Sequence, residues 1–213
     1  SYLTTPNFYN ESYKSFQDWY NPSFDESKPV VLVDTKPLNA WVTSVVKGGL
    51  GTTSIFYGDR IKVGAIVAVN SVGSPCFPGT NILYSDFYGA NKEYLEKPPT
   101  SSSINSTKLL KGEATTLGIV CTNLNFNKSD LNRIATASHS GIARAIEPSH
   151  TPFDGDIIFS ATSGTQPIDS KDNDLMLVCQ LSALCITQAV GSAIKAARKK
   201  RGDKLSCWAD LKT

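Results

Sequence analysis

The sequence predicts an α/β fold, and three observations carry that prediction. Short runs rich in Val and Ile at 62–70, 116–122 and 157–162 read as strands. Two longer stretches, from about 127 to 147 and from 172 to about 200, have their apolar residues at helical spacing. Strands and long helices therefore alternate along the chain, the pattern of layered α/β proteins. With 213 residues, 40% of them hydrophobic and 19% charged, the chain can bury a core and reads as one domain over residues 1–213.

The elements follow in order. Residues 1–29, which include "NFYNESYKSFQDWYNPSF", are aromatic and polar without a clean period, and read as loop or surface-hugging segment. "PVVLVDT" (Pro29–Thr35) is a short strand candidate. Thr53–Tyr57 and Lys62–Asn70 read as two strands joined by the turn "GDR". Both faces of the second strand are apolar or small, so it is expected to be central. Residues 74–114 form a long connection. Pro98, Pro99 and a Ser/Thr run make it an expected exposed, mobile loop where a chain cut would be tolerated. The strand Thr116–Thr122, closed by Asn123, comes next. A helix begins near Asn127 with Asp130 in its first turn. Leu131, Ile134, Ala135, Ser138, Ile142 and Ala145 lie at helical spacing, and Pro148 ends it. A turn with two aspartates leads into the strand Ile157–Thr162. The last helix is apolar nearly all round in its first half, so it is expected inside a core.

Composition narrows the function classes. The 21 basic and 19 acidic residues give a net charge of +2, which favours no polyanionic partner, so no nucleic acid is expected. The one basic run, Lys195 to Lys204, reads as the solvated C-terminus of the last helix. Five cysteines (Cys76, Cys121, Cys179, Cys185 and Cys207) are odd in number and form no CxxC pair. They read as buried thiols in a reducing, cytoplasmic compartment. Two histidines, His139 and His150, offer few zinc ligands, so no metal is expected. The opening "SYLTTPNFYN" has neither a basic n-region nor an apolar h-region, so no signal peptide is expected. No run reads as a membrane span.

Three features could carry chemistry. In "KGEATTLGIVCTN" a threonine pair, Thr115-Thr116, precedes a core strand. Such a pair is ordinary β-propensity. It is also what a self-made N-terminal nucleophile requires. A threonine hydroxyl needs a base beside it, and an N-terminal threonine carries one, its α-amine with a pKa of about 7.7–8.0. The hydroxyl can free that amine by attacking its own preceding carbonyl, given a small residue before it (Ala114), a flexible tether and a rigid strand after it. Second, "FDGDIIF" sets Asp154 and Asp156 two apart around Gly155, where both could face one side. The alternative is a solvated turn. Third, Asn70 closes a buried strand and could donate to an oxyanion or simply end the strand. The two histidines read as structural.

Together "KGGLGTTS", "VGAIVAVNSVG", "TTLGIVCTN" and "HSGIARAIEPSHTPFDGDIIFSATSG" resemble the DmpA-type family of L-aminopeptidase/D-esterases, β-aminopeptidases and nylon-oligomer hydrolases, which are N-terminal-nucleophile hydrolases. The similarity runs from about Lys47 to Gly164. It implies a four-layer α/β/β/α sandwich, cleavage between 114 and 115, and attack by Thr115 on an amide, peptide or ester carbonyl. It further implies Asn70 at the oxyanion, Asp154 and Asp156 positioning the nucleophile and its amine, no cofactor, and assembly into homo-oligomers. Two departures stand out. Family members often have Asn or Gly before the nucleophile, where this chain has Ala114. The family's glycine-rich "GGS"-type segment is missing from residues 1–46, a divergent N-terminal segment. A divergent short form and a fragment are both consistent with that. Two other functions stay open: an inactive relative acting as a scaffold or oligomer partner, and an acyltransferase of the ornithine-acetyltransferase type, which the "DGD" context fits less well.

Overall fold

The computed structural model describes residues 46–77, 80–88, 114–203 and 205–211. The described elements lie in one compact unit, within Leu38–Thr213. The expected strand Pro29–Thr35 and the Pro98–Pro99 segment lie outside the described residues.

Four strands form one mixed sheet in the order β1-β2-β3-β4. They are β1 (Leu50–Tyr57), β2 (Ile61–Ala68), β3 (Leu117–Leu124) and β4 (Ile157–Gln166). The first three pair antiparallel, and β3 pairs parallel with β4. The β1–β2 hairpin and the interior place of β2 agree with the sequence reading, and β1 begins three residues earlier than predicted. Asn123 lies within β3 instead of closing it. Its amide pins the hairpin turn, donating to the Arg60 carbonyl (2.7 Å) and accepting from the Lys62 N–H (2.8 Å).

Two helices cover one face. α1 (Lys128–Ala145) starts where predicted: the Asn127 side chain accepts from the Asp130 N–H at 3.0 Å, satisfying one of the free N–H groups of the first turn. Its buried stripe of Ile134, Ser138, Gly141, Ile142 and Ala145 packs against α2 (Lys171–Ala196). The helices touch closely at Gly141, where a Cβ would lie 2.3 Å from the Ala183 carbonyl oxygen. The glycine of "HSGIARAI" is thus explained by packing. Val63, Val67, Val120 and Ile158 from the sheet meet Val178, Cys185, Ile186, Ala189 and Ile194 of α2 to form the core. All five cysteines are free thiols, and burial pushes Cys76, Cys121 and Cys185 up to about 12.

Three expectations need correction. The connection after Ser74 is not simply exposed. Cys76, Leu83 and Ser85 are buried, and a 3₁₀ turn at Tyr84–Tyr88 packs on α2, because apolar side chains such as Cys76 and Leu83 gain more from the core than from water. The basic run only begins at the helix end: α2 stops at Ala196, with Lys195 in its last turn, and the chain beyond is held by Lys47, which bonds the Arg198 carbonyl (2.9 Å) and the Asp203 carboxylate (2.6 Å). Finally, α2 is long and apolar enough to cross a membrane, with an 18-residue window of mean hydropathy 1.6. That window is 67% buried against the sheet and α1, as expected of a core helix.

The other face of the sheet carries no covering layer among the described residues. Register places Phe56, Ile66, Leu117, Ile119, Ile157 and Phe159 on it. Ile119 is 36% exposed and Phe159 57%. A bare apolar face of this kind is a packing surface for another layer. The described elements make up two layers of the four-layer stack that the sequence reading expects.

Candidate active site

The candidate residues meet at the edge of this bare face, where β3 and β4 begin. The parallel ladder runs two residues beyond the strands: Ile157 N–H donates to the Thr116 carbonyl (3.0 Å) and Gly155 N–H to the Ala114 carbonyl (2.9 Å). On the other side Thr115 N–H donates to the Asn70 carbonyl at 2.6 Å, prolonging the β2–β3 pairing. Thr115 is therefore gripped from both neighbours. Burial alternates from here into β3, with Thr116 fully buried, Thr115 half-buried and Leu117 exposed. The pleat puts Thr115 on the bare side with Leu117 and Ile119.

The Thr115 hydroxyl donates to the carbonyl oxygen of Ala114 at 2.6 Å. Behind it, Asp156 is 3% exposed at its side chain, and its Oδ1 accepts from the Thr116 N–H at 2.7 Å. Its Oδ2 lies 2.9 Å from His150 Nδ1, within ion-pair distance of the ring. That oxygen and the buried Thr116 hydroxyl accept and donate no hydrogen bond. Unpartnered buried polar atoms are uncommon and collect at functional sites.

The two aspartates do not act as one pair. Asp154 Oδ1 accepts from Val72 N–H (3.0 Å), and Oδ2 accepts from the N–H (3.0 Å) and hydroxyl (2.7 Å) of Thr151. Asp154 is thus neither a solvated turn residue nor a direct partner of Thr115. It ties together the two loops that flank the nucleophile candidate. Asn70 is brought to Thr115, with its main-chain carbonyl as the described contact.

His150 and Gly155 were missed as site residues by the sequence reading. His150 sits at φ 55, a left-handed conformation that a non-glycine residue seldom adopts, with its ring against Asp156. Its ring also packs 5.2 Å from that of His139, whose pKa is lowered, first by burial and then by the His150 charge. The available signal was "HT" at 150–151, two residues ahead of "DGD". A separate cleft of about 630 Å³ opens among Phe77, Tyr84, Phe87, Tyr88 and Arg144, and no candidate site residue lines it.

Comparison with known proteins decides the family. The model of peptidase family S58 matches residues 40–206. The chain belongs to peptidase family S58. It is 32% identical over 178 residues to an uncharacterized aminopeptidase of Mycobacterium leprae, covering 76% of this chain and 48% of that protein. The chain thus spans about half the length of that curated relative. Its fold is that of the N-terminal-nucleophile hydrolases. The L-aminopeptidase D-Ala-esterase/amidase of Ochrobactrum anthropi, described as a variant of that fold, superposes with a TM-score of 0.50 at 19% identity, over 78% of this chain and 45% of the other. A Burkholderia sp. β-aminopeptidase superposes with a TM-score of 0.52 at 18% identity, over 80% and 49%.

Proposed function

We propose that this family S58 chain is a self-processing N-terminal-threonine hydrolase of amide or peptide bonds, aminopeptidase-like, with Thr115 as nucleophile. One observation carries the reading: the Thr115 hydroxyl lies 2.6 Å from the oxygen of the carbonyl it would attack. Its own N–H is fixed by Asn70 and the next peptide by Asp156. Once the 114–115 bond is cut, the same nitrogen becomes the free α-amine and can take the hydroxyl proton. Asp156, facing His150, then holds the start of β3 in place. Asp154 keeps the flanking loops from spreading. Substrates are small peptides, amino-acid amides or esters, reaching the half-buried Thr115 at the edge of the sheet's bare face.

The names of the family relatives support peptide-bond hydrolysis. The cytoplasmic setting and the homo-oligomer remain part of this proposal, the former resting on five free thiols. Intact mass of the purified chain under denaturing conditions tests the central step. A C-terminal piece beginning at Thr115 is the expected result, and a single uncut chain without hydrolase activity overturns it. Release of product from aminoacyl amides by the cut protein, and not by the uncut one, completes the test.

A further inference from the structure

We propose that the main-chain N–H of Gly155 is the oxyanion donor for cutting the Ala114–Thr115 bond, and that residue 155 is glycine because a side chain would displace the Thr115 hydroxyl. This deepens the self-processing reading and rests on it. Two independent observations lead here. The Gly155 N–H already donates to the Ala114 carbonyl oxygen at 2.9 Å, the oxygen on which negative charge develops during attack. A Cβ built on Gly155 would lie 2.8 Å from Thr115 Oγ1, closer than side-chain carbons approach other heavy atoms. It would meet nothing else closely, since its other neighbours, the Ala114 carbonyl oxygen and Thr115 Cβ, are 3.9 Å away. The space a side chain would take at position 155 is therefore the space the nucleophile occupies.

The chemistry balances with water alone. Thr115 Oγ bonds to the Ala114 carbonyl carbon, and the carbonyl oxygen becomes an oxyanion held by the Gly155 N–H. The carbon–nitrogen bond then breaks, and the hydroxyl proton ends on the departing Thr115 nitrogen, giving an ester and a free amine. Water hydrolyses the ester to the Ala114 carboxylate and restores the Thr115 hydroxyl. A donor already in place needs no reorganisation as the charge forms. The sheet ladder itself supplies the donor, because the β3–β4 pairing continues past the strand ends onto the bond to be cut.

The test follows cutting of the complete natural chain over time by intact mass. It compares the wild type, Gly155→Ala, and a chain in which glycolic acid at position 155 turns that amide into an ester, removing the N–H with little change of shape. The ester chain is expected to cut about 10²- to 10³-fold more slowly, the usual effect of losing one oxyanion donor. Gly155→Ala keeps the N–H and is expected to slow cutting by at least as much, through the displaced hydroxyl. Thermal melting establishes that each chain is folded. If Gly155→Ala does not fold, the ester chain decides. A wild type that cuts alongside an ester chain cutting equally fast overturns the Gly155 assignment and leaves Thr115 as nucleophile. A wild type that never cuts overturns the self-processing reading and this inference with it.

Discussion

Two buried carboxylates of this protein, Asp174 and Asp156, sit at opposite ends of the sheet and are treated differently. Asp174 lies in the first turn of α2 and is saturated. Its Oδ1 takes Arg60 Nη2 at 2.5 Å, and its Oδ2 takes Arg60 Nη1 (3.1 Å) and the N–H groups of Asp169 (2.9 Å) and Ser170 (3.4 Å). The Arg60 hydrogen bonds hold its pKa below the ordinary 3.8, against the opposing effect of burial. Asp156 is just as hidden, yet one of its oxygens has no hydrogen bond and faces a histidine. A carboxylate with every lone pair occupied clamps a hairpin to a helix start. One whose second oxygen meets only an imidazole, beside a nucleophile candidate, couples that site to a histidine.

Breaking that contrast should give graded effects. The largest comes from Thr115→Ala, which removes the group that the Asp156 end serves. Cutting and hydrolysis should both fall by at least about 10³-fold with the melting temperature nearly unchanged. Mass spectrometry and an amide-release assay read the two. A variant that is still cut, but between residues 115 and 116, would move the nucleophile to Thr116.

Asp156→Asn should come next. The amide can still accept the Thr116 N–H, but the charge facing His150 is gone. Turnover should drop by about 10²-fold, far more than stability changes. Unchanged kcat with a lowered melting temperature would make Asp156 a second clamp and erase the comparison.

Asp174→Ala should do the reverse. It leaves the Asp169 and Ser170 N–H groups without their acceptor, at a cost of about 1–3 kcal/mol. In a chain of this size that is a fall of roughly 2–12 °C in melting temperature, with cutting at position 115 intact. The acid limb sharpens the point. Asp174 has a depressed folded pKa, so its stabilisation is fully present above about 3.8 and is lost as pH falls through the folded value. Melting curves between pH 5 and 2 should show a steeper loss for wild type than for Asp174→Ala.

The smallest effect is expected from Thr116→Val. It replaces a buried hydroxyl that makes no hydrogen bond with a methyl of similar shape. Stability should stay level or rise by up to about 1 kcal/mol, and cutting should continue. Lost cutting would show that this hydroxyl works with Asp156.

Much of this was open to reading in the chain itself. Hairpin, core strand, the Asn127 cap and both helices follow from local chemistry: β-branched runs, a capping side chain, apolar residues at a 3.6 spacing. The nucleophile candidate and the "DGD" turn were visible because the chemistry needs specific residue types in a specific order. Local sequence could not show which oxygen of which aspartate would be filled. Asp154 and Asp156 look alike on paper, and only the folding of Val72, Thr151, Thr116 and His150 around them gives one a clamp's bonds and sets the other against a histidine. Nor could it show that Gly155 faces the Thr115 hydroxyl, because residues 40 apart meet only when β3 and β4 pair. Backbone propensity and patterning act between near neighbours, so sequence determines the elements. Hydrogen-bond saturation and steric space act between strangers in sequence, so the tertiary structure alone decides the site.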